Sequence, residues 1–420
     1  MNKTGAEVLT PSKHYKNGTE VPAPEGYKQT KVGVIPEDWE KYELKELINI
    51  SSKKFSPKTS KEEKKCIELE HLSQKTGQLL GYISSKEQQS TKNIFNKGQI
   101  LYGKLRPYLK KYWKAEFNGV CSSEIWVLNG NKIINEYLFF LVQTNKFNQI
   151  ANVSSGSKMP RADWKYMAEI PFIIPPLKEQ EKIAQILTTW DDAITKQEDL
   201  IKAKETLKKG LMQKLLSGEW EEVRLGNIGK TYGGLTKKTA EDFAAGDAQY
   251  ITYKNIFDNN KIDISIFDNV KINNDEKQNK VMYGDVLFTT SSETPEEVGM
   301  SSVLLDEIDE LYLNSFCFGY RLNDLNILNP QFARFYFRSF YMRDKISRLA
   351  QGSTRFNLSK LQVMKIKIKL PPMEEQEKIA HVLTLSDKEI ELLKEELETL
   401  KEQKRGLMQR LLNGVVSVKL

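Results

Sequence analysis

Cysteine and histidine are scarce in this chain, with three of each in 420 residues. Cys66, Cys121 and Cys317 lie far apart and show no metal-ligand spacing, so they read as buried free thiols in a reducing compartment. His14, His71 and His381 share no spacing with acids that suggests a metal site or a catalytic triad. No apolar run approaches the roughly 20 residues that cross a bilayer. The start, "MNKTGAEVLTPSKHYKNG", lacks the apolar core of a secretory signal. These absences predict a soluble, cytoplasmic protein with no membrane contact. Two further signatures are missing. There is no GxxxxGK[ST] phosphate loop, so no ATP site is indicated. Nor is there an Asn/Asp-Pro-Pro-aromatic motif of the kind a DNA methyltransferase needs, and "YGGL" at 232–235 reads as a turn.

What is present is a globular composition, 39% hydrophobic and 10% aromatic, long enough for about two domains. It also holds a duplication. "PPLKEQEKIAQIL" from Pro175 returns as "PPMEEQEKIAHVL" from Pro371, and the copies run without a gap through "KKGLMQKLLSG" and "KRGLMQRLLNG". Over 175–218 and 371–414, 20 of 44 positions are identical. Each copy reads as one long helix of roughly 60 Å, with entry prolines, acids in the first turns, bases in the last and Gly218 or Gly414 as the stop. Heptad spacing predicts a coiled-coil seam. It comprises Leu187, Trp190, Ile194, Ile201, Leu211 and Leu215 on the first helix, with Lys208 interrupting. On the second it comprises Leu383, Ile390, Leu393, Leu397, Leu400, Leu407 and Leu411. The order domain, helix, domain, helix predicts an antiparallel pair of long helices with an approximate two-fold relation between two α/β (α+β) domains.

The repeat continues weakly outside the helices. "DWEKYELKEL" from Asp38 matches "EWEEVRLGNI" from Glu219, and "GQILYGKLRPYL" from Gly98 matches "GDVLFTTSSETP" from Gly284. "VCSSEIWVL" from Val120 resembles "NSFCFGYRL" from Asn314, and "SSGSKMPRADWKYM" faces "AQGSTRFNLSKLQV". "EIPFIIP" and "KIKIKLP" alternate as strands do. A shared scaffold with divergent loops suggests that the two domains recognise different things. The expected segments are an N-terminal arm at 1–25, domains at 26–174 and 219–370, helices at 175–218 and 371–414, and a tail at 415–420.

Charge points to the partner. The helix copies carry net +1 and −3 against a chain total of +7, so the remainder carries +9. A basic surplus in the domains leans toward an anionic partner. In the first domain cations interleave with rings, as phosphate contact and base-edge reading require: Lys104, Arg106 and Tyr108, with Lys158 and Arg161 further on. The second domain offers Thr289, Thr290, Ser291, Ser292, Thr354 and Arg355. These are the candidate DNA contacts. No residue set reads as catalytic or metal-binding.

Taken together, "GVIPEDWE", "ILYGKLRPYL", the Gly-Ser loops, "PPLKEQEKIA" with "PPMEEQEKIA", and "GLMQKLLSG" with "GLMQRLLNG" resemble the specificity subunits of Type I restriction–modification systems, from about Gly26 onward. The resemblance implies two target-recognition domains, each reading half of a split double-stranded DNA site, and a coiled coil that sets the gap. It also implies docking of two methyltransferase subunits and two restriction/translocase subunits. S-adenosylmethionine, ATP and magnesium would then belong to the partners, and the complex would methylate adenine N6 in defence against foreign DNA. A rival reading is a coiled-coil adaptor with peptide-binding domains. A third is a nuclease with a dispersed acidic site.

Overall fold

In the computed structural model, the apolar strand Ile100–Gly103 is buried on both faces. Ile100 and Tyr102 enter one core and Leu101 another, as the two-residue period of a strand requires. Val286–Thr289 repeats the arrangement, with Val286 and Phe288 in one core and Leu287 in another. The structure describes residues 15–16, 19–20, 23–30, 33–153, 159–244, 246–273 and 275–418. The chain divides into two units, Met1–Lys196 with Leu397–Leu420, and Gln197–Glu396. Each therefore holds part of both long helices, Leu177–Leu215 and Met373–Leu412.

Unit 1 is mixed α/β. Its antiparallel four-stranded sheet runs Tyr112–Lys114, Ile100–Gly103, Ile125–Gly130, Ile48–Ile50. One face packs on the short helices Asn135–Leu141, Asn145–Ala151 and Trp164–Ala168. The other face meets a five-stranded sheet through Leu101, Trp113 and Val127, which share a core with Ile67, Phe95 and Cys121. "PFII" pairs with Glu40–Glu43 as an antiparallel ribbon just before the first long helix.

Unit 2 repeats this plan with other strand lengths. Its antiparallel sheet runs Gly229–Gly233, Cys317–Leu322, Val286–Thr289, Ser301–Val303, covered by the helices Pro330–Tyr336 and Phe340–Ser347. A three-stranded sheet replaces the five-stranded one. "KIKL" pairs with Glu221–Arg224 as "PFII" does with its partner.

The repeated helix residues are explained by what they touch. Gln180 is buried; its Oε1 accepts from the Ile134 N–H, and its amide donates to the carbonyls of Pro175 and Lys132. Gln376 makes the matching set with Asn329, Pro371 and Ile327. A buried amide with its groups satisfied fixes one geometry, because leaving them unpaired costs about 1–3 kcal/mol. Beside these glutamines, Ile183, Ala184 and Leu187 join the unit 1 core, as Ile379, Ala380 and Leu383 join that of unit 2.

The helix segments within each unit are antiparallel. In unit 1, Asp191 pairs with Lys404, while Leu411 and Leu412 share a core with Leu187. In unit 2, Lys204 pairs with Glu389 at 2.5 Å, Glu205 with Lys394 at 2.7 Å, and Lys208 with Asp387. Lys208 thus interrupts the heptad for a reason: Lys208–Asp387 and Lys404–Asp191 are one ion pair written twice, 196 residues apart. All thirteen seam positions are buried or half-buried. Leu187, Leu383 and Leu411 do so inside domain cores, so the helix ends serve their own domains as well as each other.

In unit 1 the 27–39 segment meets the residues that follow the second long helix. Gly414 adopts φ +69°, and a Cβ there would lie 2.8 Å from Pro36 and 3.3 Å from Trp39. Tyr27 accepts from the Ser417 N–H; Glu179, buried, accepts from the Trp39 indole, the Ser417 hydroxyl and the Val418 N–H. Of the arm at 1–25, residues 15–16, 19–20 and 23–25 are described and the others lie outside the described residues.

Candidate nucleic-acid interface

Three segments of unit 1 come together around Lys104. Its N–H donates to the Glu124 carbonyl (2.9 Å), its carbonyl accepts from the Ala162 N–H (2.9 Å), and Arg106 N–H donates to the Pro160 carbonyl (2.8 Å). Unit 2 builds the same junction: Thr290 N–H donates to the Phe316 carbonyl (2.9 Å) and Leu358 N–H to the Thr290 carbonyl (2.8 Å). The candidate contacts from distant parts of each domain are therefore neighbours.

These bonds also correct a register. The ladders pair Tyr102 with Trp126 and Phe288 with Phe318, so Val120 corresponds to Tyr312 and not Asn314. A slip of two residues keeps every side chain on its own face, so the apolar pattern alone cannot detect it. In the true register Phe316 stands where unit 1 has Glu124.

In unit 1, Arg106 and Lys110 bracket the short 3₁₀ turn Pro107–Leu109, both with left-handed φ, +52° and +50°. Such a conformation costs a non-glycine residue on the order of 1 kcal/mol or more, and the bonds to Pro160 and within the turn hold it. The turn exposes Arg106 and Tyr108. Arg161 is also exposed, but both its Nε (3.0 Å) and an Nη (3.4 Å) donate to the Glu124 carboxylate. Lys104 is half-buried in the junction. Lys158 lies outside the described residues. Among the described residues the Arg106 guanidinium has no ion-pair partner, and it is the exposed one of the unpaired cations Lys104, Arg106 and Lys110.

In unit 2 the loop is different. Ser291–Ser292 pairs with Phe356–Asn357 as a short ribbon. Thr289 leaves the list of contacts: it ends a central strand and is fully buried. Ser292 is also buried, and its hydroxyl donates to Glu297 Oε2 (3.2 Å), as does that of Thr294 (2.9 Å). Thr290 and Ser291 are half-buried, whereas Thr354 and Arg355 are exposed. Together with Tyr253, Glu293, Glu297 and Phe316, residues Ser291, Ser292 and Arg355 line a cleft of about 420 Å³.

Sequence reasoning missed this cleft's aromatic and acidic walls, and it missed what holds them. Arg338 donates to the carbonyls of Ile256, Phe257, Asn259 and Ser301. Arg343 donates to those of Glu296, Val298 and Gly299. Burial pushes both guanidinium groups down to about 10, the neighbouring Arg343 adding to the effect on Arg338, so both stay charged at neutral pH. They fasten the two sides of the cleft, the 256–259 segment and the 296–299 loop. Unit 1 has Gln143 and Asn148 at the matching places. The only available signal was the pair of arginines in "FRSFYMR", which are indistinguishable in sequence from surface cations.

All three cysteines are buried and free, and burial pushes the Cys66 thiol up to about 12. Among the described residues there is no cluster of three or more His, Cys, Asp or Glu able to hold a metal, and no helix is long and apolar enough to cross a membrane.

Comparison with known proteins agrees with this geometry. A Type I restriction enzyme specificity subunit of Methanocaldococcus jannaschii, MjaVIII, is 26% identical across 94% of this chain and 97% of its own length. The EcoDI specificity subunit of Escherichia coli is 33% identical over 46% of this chain and 45% of its own length. A chain solved in work on complex assembly and conformational transition of the type I R-M system superposes with a TM-score of 0.64 at 18% identity, covering 91% of this chain and 99% of that one, and so shares the fold. The family model described as the Type I restriction modification DNA specificity domain matches residues 36–204 and again 217–402. The chain belongs to that family: it is a specificity subunit, which recognises the DNA target and does not itself carry out the catalytic step.

Proposed function

We propose that each unit reads one half of a split double-stranded DNA site, unit 1 through the turn bearing Arg106 and Tyr108, unit 2 through the cleft bearing Arg355. The observation that carries this is the common junction at Lys104 and Thr290, which presents two loops of unlike chemistry from one scaffold. In this reading the helices set the number of unspecified bases between the half-sites. Two methyltransferase subunits dock on the repeated helix surface, and two restriction/translocase subunits follow. Repeated residues that are not buried support a docking role: Glu181, Lys182, Gly406 and Gln409 in unit 1, with Glu377, Lys378, Gly210 and Gln213 in unit 2. S-adenosylmethionine, ATP and magnesium belong to the partners, and the complex methylates adenine N6 in the cytoplasm.

Binding of the full chain to random duplex in low and high salt separates this from a peptide-binding adaptor: salt-sensitive DNA binding is expected of the first only. Mapping methylated adenines in the host genome with and without the chain is expected to reveal a bipartite site that disappears with it. Arg106→Ala is expected to cost about 1–3 kcal/mol and relax one base of one half-site. Matched one-turn insertions in both helices are expected to lengthen the gap, and an unchanged gap removes the helices' role in setting it.

A further inference from the structure

The unit 2 cleft holds charges of both signs that do not neutralise each other. Glu293, Glu297 and Arg355 all line it, yet among the described residues none of the three takes part in an ion pair. The matching junction in unit 1 behaves otherwise, since there Arg161 is clamped on Glu124. In unit 2 those two places hold Asn357 and Phe316, and the arginine stands two residues earlier, at 355.

Glu297 is nevertheless placed with care. The Ser292 and Thr294 hydroxyls both donate to its Oε2, and the loop behind it is fastened by Arg343. No described group bonds its Oε1. Tyr253 closes one side, its hydroxyl donating to the Ser291 carbonyl (2.7 Å). Phe316 stands at the cleft 64% exposed. Its backbone is held by the bond to Thr290 and by the Asn314 side chain, which accepts from the Phe316 N–H (2.9 Å).

A ligand suited to this cleft must offer acceptors to a guanidinium and, close by, a donor to a carboxylate. Both base pairs carry acceptors and a donor along the major-groove edge, but in A·T the adenine amino group separates the two acceptors. G·C alone sets two adjacent acceptors, guanine N7 and O6, beside the cytosine N4 amino group, the order a two-pronged guanidinium next to a carboxylate requires. Carboxylates near DNA are repelled by phosphates, so one held in place in a DNA-reading cleft is favoured where it meets a base-edge donor. We propose that the unit 2 cleft reads a G·C pair, Arg355 taking the guanine acceptors and Glu297 the cytosine amino group, with Phe316 covering the contact from water. At the equivalent junction of unit 1 the carboxylate, Glu124, is paired with Arg161, so that turn presents no unpaired acid beside its cation. This inference rests on the DNA-reading function proposed above.

The test is selection from a random duplex pool by the full chain, purified with the subunits that accompany it, followed by sequencing of the retained DNA. Wild type is expected to return a bipartite site with a G·C pair in one half. Arg355→Ala and Glu297→Gln are each expected to lower the preference at that same pair about ten-fold or more, leaving the other half-site unchanged. Arg355→Lys keeps the charge but not the two-pronged geometry, so it is expected to retain salt-dependent binding while losing the guanine preference. Variants that keep wild-type base frequencies overturn the proposal. So does a Glu297→Gln variant that binds every sequence more tightly with unchanged preference, because the carboxylate would then face phosphate. A wild-type chain that selects no sequence overturns the DNA-reading function itself, a separable result. Glu297 and Arg355 are exposed, so unchanged melting temperatures are expected throughout.

Discussion

Units 1 and 2 share a frame and differ in how they stiffen it. Each has the same glutamine latch at the helix entry, the same Lys–Asp pair between helix segments, and the same backbone junction under the reading loop. Around that junction unit 1 uses a strained turn with two left-handed residues, a local device. Unit 2 instead uses long-range anchors, two half-buried arginines that each reach several carbonyls. A turn can be rebuilt by changing a few neighbouring residues, whereas an anchored cleft depends on residues some forty or more positions away. Shared parts are thus the ones that several elements need at once, and divergent parts lie where only the loop's own target constrains them.

The anchor contrast gives the largest expected effect. Arg343→Ala strands three carbonyls beside the 296–299 loop and is expected to destabilise unit 2 by about 2–3 kcal/mol. Asn148→Ala in unit 1 removes a smaller neutral network and should cost about 1 kcal/mol. Thermal melts of both variants check this, and equal losses would erase the distinction. Next come the latches. Gln180→Leu and Gln376→Leu are each expected to cost about 2 kcal/mol, and equal values, measured by hydrogen exchange within each unit, would confirm that the frame is shared.

The repeated ion pair should show a smaller asymmetry. In unit 2, Asp387 has a second cation, Arg334, 3.6 Å away that Lys208→Ala leaves in place, whereas Lys404→Ala takes from Asp191 the lysine it pairs with. Burial already pushes the Asp191 carboxyl above its ordinary value, with Lys404 opposing. The expected costs are about 1–2 kcal/mol for Lys404→Ala and under about 1 for Lys208→Ala, moderated by partial exposure. Denaturant titration decides it.

The smallest effect is one of pH. Hydrogen bonds from Lys238 and Gln278 hold the Glu276 carboxyl down to about 2. A depressed carboxylate contributes stability above its unfolded value of 4.5, and that contribution is lost as pH falls toward 2. Acid is therefore expected to loosen the Thr236–Gln278 clasp of unit 2 within that window. Amide exchange at 236 and 278, followed from pH 5 downward, reads it directly. Glu276→Gln should remove the pH dependence.

Much of the frame was legible in the residues. The duplication, the two long helices, the strand character of "PFII" and "KIKL", and the correspondence of Lys104 with Thr290 all follow from spacing. Legibility stopped where two answers share a period. The strand after Val120 could slip by two residues without exposing an apolar side chain, and that slip hid Phe316. Thr289 looked like a polar loop residue because its hydroxyl says nothing of the strand that buries it. Lys208 looked like a flaw in the seam until Asp387 was beside it.

The amino-acid sequence alone determined the elements whose cause is local: helix periodicity, capping prolines and glycines, the alternation of strands, and the repeat that copies them. Only the tertiary structure decided the partners: which carboxylate meets which cation, which arginines turn inward to carbonyls, and which loops face one cleft. The reason is that periodicity reports on which side of an element meets water, and this acts over a few residues. A hydrogen bond or ion pair depends on distance in space, and residues dozens to hundreds of positions apart are brought within 3 Å only by the packing of the whole unit.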